Sequence, residues 1–456
     1  MQPISWQQFG LKKDPFDTPP LSEGGDLSIE DAFIGRKEES SVIDSLFESS
    51  NRVCMAICGD VGVGKTSFAN FRKFIWKYQK PKLLFSFRRE IEISVELLNK
   101  KSFLVEIIAS VLREIYLMEP VLLKDPLLSK LRQLVDIAQT FSISFGATIP
   151  VYSATVGANA AYDRHHASPL ESLSIASLEQ HFLDLLSFVK NHEIQGRKYS
   201  GLVVHVNNFD SILLREGFAV KVCEFFNDVR DILQIPDVYF LFLGPADFWG
   251  NIISRHSRVE GVFYRSPLLI DPLSKKEVVQ AFHERMSLLQ SDDVSHYINP
   301  IEDEVVYRLY DLFNGDIRRI MSAMRDILGE LSDRLIQPLS VDEAMLLLGK
   351  ERWHRIENLA PLTEEQKAVL RFIIEHDRVT QRDIARVLNK AQSNMSGYYF
   401  KSFKGRGIIE EKGRQGKLVY WGLTSDYLPL KHYVSSRGAV QSNLAAMSMA
   451  QLSLGI

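Results

Sequence analysis

The chain has little cysteine, no long apolar run and no excess of positive charge, and each absence excludes something. Cys54, Cys58 and Cys223 are its three cysteines; an odd number at no recurring spacing argues against a disulfide framework and against a zinc site. No stretch reaches the roughly 18 apolar residues that a spanning helix needs. The opening MQPISWQQFGLKKDPFDTPP lacks the continuous apolar core of an export signal. The expectation is a cytoplasmic protein with no membrane partner. Lys and Arg number 54 against 57 Asp and Glu, a net −3, so no global basic field exists and a polyanion must find a local patch. What remains is ordinary: 45% apolar and 24% charged residues over 456 positions, enough for about three globular domains.

Residues 1–35 are irregular and rich in Pro and Gly, and read as a lead-in strap crossing the surface of the next domain. From 36 to 270, short apolar runs alternate with helix-length amphipathic segments. The runs are Val53–Cys58, Leu83–Phe87, Leu202–Val206 and Val238–Leu243; the segments include Phe68–Tyr78, Val95–Tyr116, Leu178–Val189 and Val220–Leu233. Near-continuous apolar strands separated by helices predict an α/β fold whose parallel sheet is covered on both faces. One piece interrupts the order. Over 141–162, Phe141, Ile143, Phe145, Ala147 and Ile149 alternate, which reads as a β-hairpin insertion, with a surface loop as the alternative. Residues 271–350 turn purely helical, 361–424 form a further compact unit, and 425–456 are a Ser/Ala/Met-rich tail.

The most informative passage is Gly59-Asp60-Val61-Gly62-Val63-Gly64-Lys65-Thr66. It satisfies G-x-x-x-x-G-K-[ST] between a predicted strand and a predicted helix. Glycines permit positive φ, so successive backbone N–H groups converge on phosphate oxygens at a helix N-terminus. Ser67 continues the loop into the helix. Lys65 is expected to reach the β and γ phosphates of ATP, and the Thr66 hydroxyl to ligate Mg²⁺.

With this loop in hand, the chain over roughly residues 30–425 resembles AAA+ ATPases of the initiator clade, the origin-recognition type, and their relatives the STAND signalling ATPases. Phe33-Ile34-Gly35-Arg36-Lys37-Glu38-Glu39 is similar to the element that precedes the family's phosphate loop; the resemblance implies that Gly35 and Arg36 help enclose the nucleotide. It also implies a second nucleotide strand at 201–206 followed by two acidic residues. Here the residues are Asn207 and Asn208, then Phe209 and Asp210. An amide offers an oxygen to a Mg²⁺-bound water, the role expected of Asn207, but carries no charge and accepts no proton. Asn208 is therefore a poor replacement for the water-activating carboxylate, with Asp210 as a partial substitute. The family's polar sensor after the fourth strand is missing or displaced at Gly244-Pro245. Arg258, or alternatively Arg255, resembles the arginine given to a neighbouring subunit's nucleotide. Asn314-Gly315-Asp316-Ile317-Arg318-Arg319 resembles the start of the lid helix, with Arg318, or Arg319, as its sensor of the γ-phosphate.

The run 361–424 reads as a winged helix. Thr363 and Thr380 cap two helices carrying Val369, Leu370, Ile373 and Ile374, then Ile384, Val387 and Leu388. A third helix covers about Ser393 to Lys404, and Ile408–Glu411, the turn at Gly413–Gly416 and Lys417–Gly422 form a hairpin. From Thr363 to Thr424 there are 12 Lys and Arg against 7 Asp and Glu. This unit is thus basic inside an acidic chain. Ser393, Asn394 and Ser396 lie where base edges or phosphates of duplex DNA are met; Lys401, Lys404, Arg406, Arg414 and Lys417 suit its phosphates. The whole predicts a slowly hydrolysing, ATP-dependent DNA-binding switch that works as a homo-oligomer or in a larger assembly. The alternative is a STAND-like scaffold whose winged helix contacts protein.

Overall fold

The continuous apolar runs become the centre of a parallel sheet. In the computed structural model, which describes residues 4–79, 81–144, 174–264, 266–331, 337–359, 361–390 and 395–436, the strands are β1 (Val53–Cys58), β2 (Phe85–Ser86), β3 (Ile91–Glu92), β4 (Leu202–Asn207), β5 (Val238–Gly244) and β6 (Leu268–Leu269). Their order is β2-β4-β5-β1-β6, with β3 also paired to β4, and every pairing is parallel. Period-two alternation splits the strands between two cores. Val53, Met55, Ile57, Val203, Tyr239 and Leu241 pack with Phe68 and Trp76. Cys54, Ala56, Cys58, Val204, Phe240 and Phe242 pack with Phe103, Leu185 and Phe226 on the other face. Helices Lys37–Ser49 and Lys65–Tyr78 cover the first face; Lys100–Met118, Ile175–Asn191 and Phe218–Val229 cover the second. Both faces are apolar because both are covered. The three thiols are buried, and burial pushes that of Cys58 up to about 11, so it is inert at neutral pH.

The chain divides into two compact units, residues 20–271 and residues up to 19 together with those from 272 onward. The lead-in is therefore split between them. In the helical unit, Trp6 and Phe16 pack edge to face, as do Phe16 and Phe282, Arg285 donates to the carbonyls of Pro15 and Asp17, and Arg325 pairs with Asp14 and Asp17. In the sheet unit, residues from Leu21 onward run along helix Lys65–Tyr78. There Leu21 N–H donates to Ser67 Oγ at 3.1 Å, Asn70 donates to the Leu21 carbonyl at 3.0 Å, and Lys77 and Tyr78 hold Glu23.

Helix Pro126–Ser144 runs through residues 141–144, where strand alternation was expected. Period-two and helical patterns are indistinguishable over so few apolar residues. The remainder of the expected hairpin lies outside the described residues.

The helical unit contains Lys275–Leu288, Asp303–Phe313, Ile317–Gly329 and Val341–Leu359. Helices Glu364–Glu375 and Gln381–Leu388, a helical stretch Ser396–Gly405, and the antiparallel hairpin β7 (Ile409–Gln415) and β8 (Leu418–Leu423) follow in the order of a winged helix. Thr363 and Thr380 both close capping boxes. The hairpin turns at Gly416-Lys417, two residues later than expected, because β7 absorbs Gly413 in a register irregularity. Helix Val341–Leu359 bridges the expected linker. Trp353 and Ile356 belong to the core of this C-terminal module, with Leu430 and Tyr433 from the start of the tail. A Cβ at Gly349 would lie 2.3 Å from the Pro429 carbonyl, so only glycine permits this approach.

Lys73 is buried against that first sheet face, its ammonium bonded to the Phe87 and Arg88 carbonyls at 3.0 and 3.2 Å. Burial pulls its pKa from 10.5 down to about 8. Between those values the unfolded chain keeps the proton that the folded chain has released, so stability rises with pH across that window. The fall corresponds to about 3 kcal/mol. Denaturant unfolding of wild type and Lys73→Met is expected to show wild type gaining about that much relative to the variant between pH 8 and 10.5; parallel pH profiles would contradict it.

Candidate nucleotide-binding site

The glycine loop leaves the end of β1, flanked in the sheet by β5 and β6, at the carboxyl edge where open parallel sheets bind ligands. Gly62 and Gly64 take φ of 84° and 96°, values that other residues rarely reach. A Cβ at Gly59 would stand 2.4 Å from the Ile270 carbonyl. Val61 is exposed at the tip and Val63 is buried beneath it. The loop carbonyls are gathered by cations. Lys65 Nζ donates to Gly59 O at 2.7 Å and to Asp60 O at 2.9 Å, and lies 3.7 Å from Asp210 Oδ2. Burial lowers the Lys65 pKa, opposed by Asp210.

Arg36, expected at the nucleotide, is buried with its guanidinium on Val63 O at 2.9 Å and Glu39 at 3.0 Å. Gly35 and Arg36 both have positive φ, which turns the side chain onto the loop. Arg36 thus shapes the loop. Ser67 accepts from the Leu21 amide, an attachment that no local pattern encodes.

At the end of β4, Asn207 Nδ2 donates to Thr66 Oγ1 at 3.0 Å while Asn207 Oδ1 accepts the Asn208 N–H at 2.8 Å. The amide expected to offer its oxygen to a metal-bound water thus has its NH₂ group on Thr66 and its oxygen on the Asn208 N–H. Asn208 sits at φ 75° and its Oδ1 accepts from Ser211 Oγ at 2.6 Å, directly before the helix Phe209–Leu213. Asparagine tolerates that backbone better than most residues, so it has a structural reason to be there. At the end of β5, a Cβ on Gly244 would lie 2.3 Å from the Phe248 ring, so no side chain fits at that position. Arg255 and Arg258 are exposed, the latter on the short helix Ser257–Glu260.

In the helical unit, Asp316 caps helix Ile317–Gly329 by accepting the Arg319 N–H at 3.1 Å. Arg318 is exposed. Arg319 lies over the Phe313 ring and binds Ser425 at 3.0 Å and Asp426 at 2.8 Å. Its engagement leaves Arg318 as the arginine pointing to solvent.

Of the expected DNA-contacting residues, Ser393 and Asn394 lie outside the described residues and Ser396 opens the described helical stretch. Lys401, Lys404, Arg414 and Lys417 are exposed and Arg406 is half-buried. Arg414 pairs with Glu411, and Lys404 lies 5.8 Å from the Trp421 ring. Tyr398 is exposed, whereas Tyr399 and Phe400 are core.

Sheet, strand-end loop and following helix together define a P-loop α/β fold. Solved structures that resemble the chain include the Aeropyrum pernix ORC2 protein in its ADPNP-ADP complexes (TM-score 0.46, 14% identity, 96% of this chain and 100% of that one). The Aeropyrum pernix ORC1 protein in complex with DNA is similar at TM-score 0.43, with 14% identity over 91% of this chain and 95% of that one. Drosophila ORC bound to DNA is similar at 0.39, with 11% identity over 92% and 94%. No protein-family model matches the chain, and no curated protein matches it. Among the described residues, no helix is long and apolar enough to cross a membrane.

Proposed function

We propose that this chain is an ATP-dependent DNA-binding switch of the AAA+ initiator type, a loader, initiator-like, transposition or defence-system ATPase with slow hydrolysis. The observation that carries the reading is the pairing of a complete phosphate cradle with amides at the end of β4. Gly62, Gly64, Lys65 and Thr66 supply what binding needs, while Asn207 and Asn208 stand where water activation needs carboxylates. Loss of a general base removes about 10²–10⁴ in rate, and Asp210 is ion-paired with Lys65. ATP arriving at the loop takes Lys65 from the Gly59 and Asp60 carbonyls. Arg258, or Arg255, serves a neighbouring copy's nucleotide in a homo-oligomer or larger assembly, and Arg318 reads the phosphate from the lid.

Duplex DNA is met by the winged helix, with Lys401, Lys404 and Lys417 on phosphates and Arg406 and Arg414 at the rim. Fluorescence anisotropy with labelled duplex at two salt concentrations tests this. ATP is expected to strengthen binding, and each of Lys401→Ala, Lys404→Ala and Lys417→Ala to flatten the salt slope by about 0.9. Arg414→Ala is expected to change it less, because Glu411 already neutralises that charge. A second reading is a scaffold of the STAND type. It is favoured by the buried contacts of Arg352 with Asp326 at 2.7 Å and the Asp426 carbonyl at 3.1 Å, which fasten the segment after the wing to the helices before it. No DNA binding with ATP at low salt decides for the scaffold.

A further inference from the structure

The amide of Asn207 has an orientation with a consequence for the metal. A backbone N–H can only donate, so the Asn207 atom 2.8 Å from the Asn208 nitrogen is the amide oxygen. The other end of the same amide, an NH₂ group, must then face Thr66 Oγ1, at 3.0 Å. The hydroxyl expected to ligate Mg²⁺ thus accepts a hydrogen bond on one of its two lone pairs, and the group beside it puts partial positive charge next to that hydroxyl, which disfavours a divalent cation there. An aspartate here would present a second oxygen and a full negative charge instead. The nearby carboxylate of Asp210 has its Oδ2 3.7 Å from Lys65 Nζ. No group of three or more His, Cys, Asp or Glu that could hold a metal exists among the described residues. These residues fit a nucleotide phosphate held by backbone amides and Lys65, but they do not fit a protein-held Mg²⁺.

We infer that the phosphate loop binds ATP nearly as tightly without Mg²⁺ as with it, because Asn207 directs its NH₂ group at Thr66. The inference rests on the ATP-binding reading above and deepens it: the ligand is the free nucleoside triphosphate, its charge met by Lys65 and loop amides. Asp fits at position 207 with the same shape, since it accepts the Asn208 N–H with one oxygen and the rotated Thr66 hydroxyl with the other.

The experiment is calorimetric titration of ATP into the full chain, purified free of nucleotide, in buffer with Mg²⁺ and in buffer with EDTA. Wild-type Kd values are expected to agree within about threefold, about 0.7 kcal/mol, and Asn207→Asp to bind more than tenfold more weakly in EDTA than in Mg²⁺. Wild-type binding that weakens tenfold or more in EDTA overturns the inference and leaves the ATP reading standing, as does Asn207→Asp that stays indifferent to the metal. Absence of heat in both buffers overturns the ATP reading and this inference with it.

Discussion

Replacing Lys65 by Ala is expected to weaken ATP binding at least 100-fold, about 2.7 kcal/mol. The ammonium is at present tied to the Gly59 and Asp60 carbonyls of the loop that must receive the phosphates, and lies close to Asp210 in the turn after β4. It is buried, and burial already disfavours its charge. A polyphosphate is the partner that would compensate a cation in such a place. Removing Lys65 takes away the one full positive charge that the loop contributes and leaves only backbone dipoles. The measurement is thermal unfolding with and without ATP. At 100 times its Kd a ligand stabilises by about 2.7 kcal/mol, and Lys65→Ala is expected to lose that increment while its ligand-free midpoint stays near wild type. An undiminished ATP shift in the variant contradicts the proposed site.

The second large effect lies under the far end of the same helix. Lys77 is wholly buried, with Glu114 Oε1 at 2.6 Å and Glu23 Oε2 at 3.1 Å. Arg88 adds its amide to Glu114 at 2.9 Å and its guanidinium at 3.1 Å. Lys77→Met leaves two carboxylates together with a single, partly exposed arginine. Removing one partner of a buried ion pair costs about 3–5 kcal/mol, which lowers the unfolding midpoint of a unit of this size by roughly 6–20 °C. Because the cost comes from stranded charge rather than lost packing, Lys77→Met combined with Glu114→Gln is expected to recover most of it. A double variant as unstable as the sum of the singles would assign the effect to packing instead. Glu23 belongs to the lead-in, so this cluster also fastens residues 20–31 along the loop's own helix.

Much of the sheet was legible in the residues. β1, β4 and β5 appear within one residue of the apolar runs that predict them, since a strand buried on both faces is apolar at nearly every position, His205 in β4 being the buried polar exception. The phosphate loop was equally legible, because its glycines answer a local backbone demand. The caps at Thr363 and Thr380 followed from side-chain chemistry three residues long. β2 and β3 were harder, each two residues long and held by pairing to β4 rather than by their own pattern. The helix over 141–144 defeated periodicity. The choice between Arg318 and Arg319 was open because both lie in the first turn of one helix; the partners of Arg319, Ser425 and Asp426, come from more than a hundred residues away.

The order of residues alone determined that a P-loop follows a central strand, that two amides, Asn207 and Asn208, follow another, and that a basic module occupies residues 361–424. These follow from near-neighbour physics: apolar period, glycine conformation, capping and local charge. Tertiary structure decided which atom of Asn207 faces Thr66, that Arg36 serves the loop backbone, and that the lead-in divides between two units. Each of those depends on what distant segments bring to the same place. A hydrogen bond between residues 66 and 207 leaves no trace in the sequence around either.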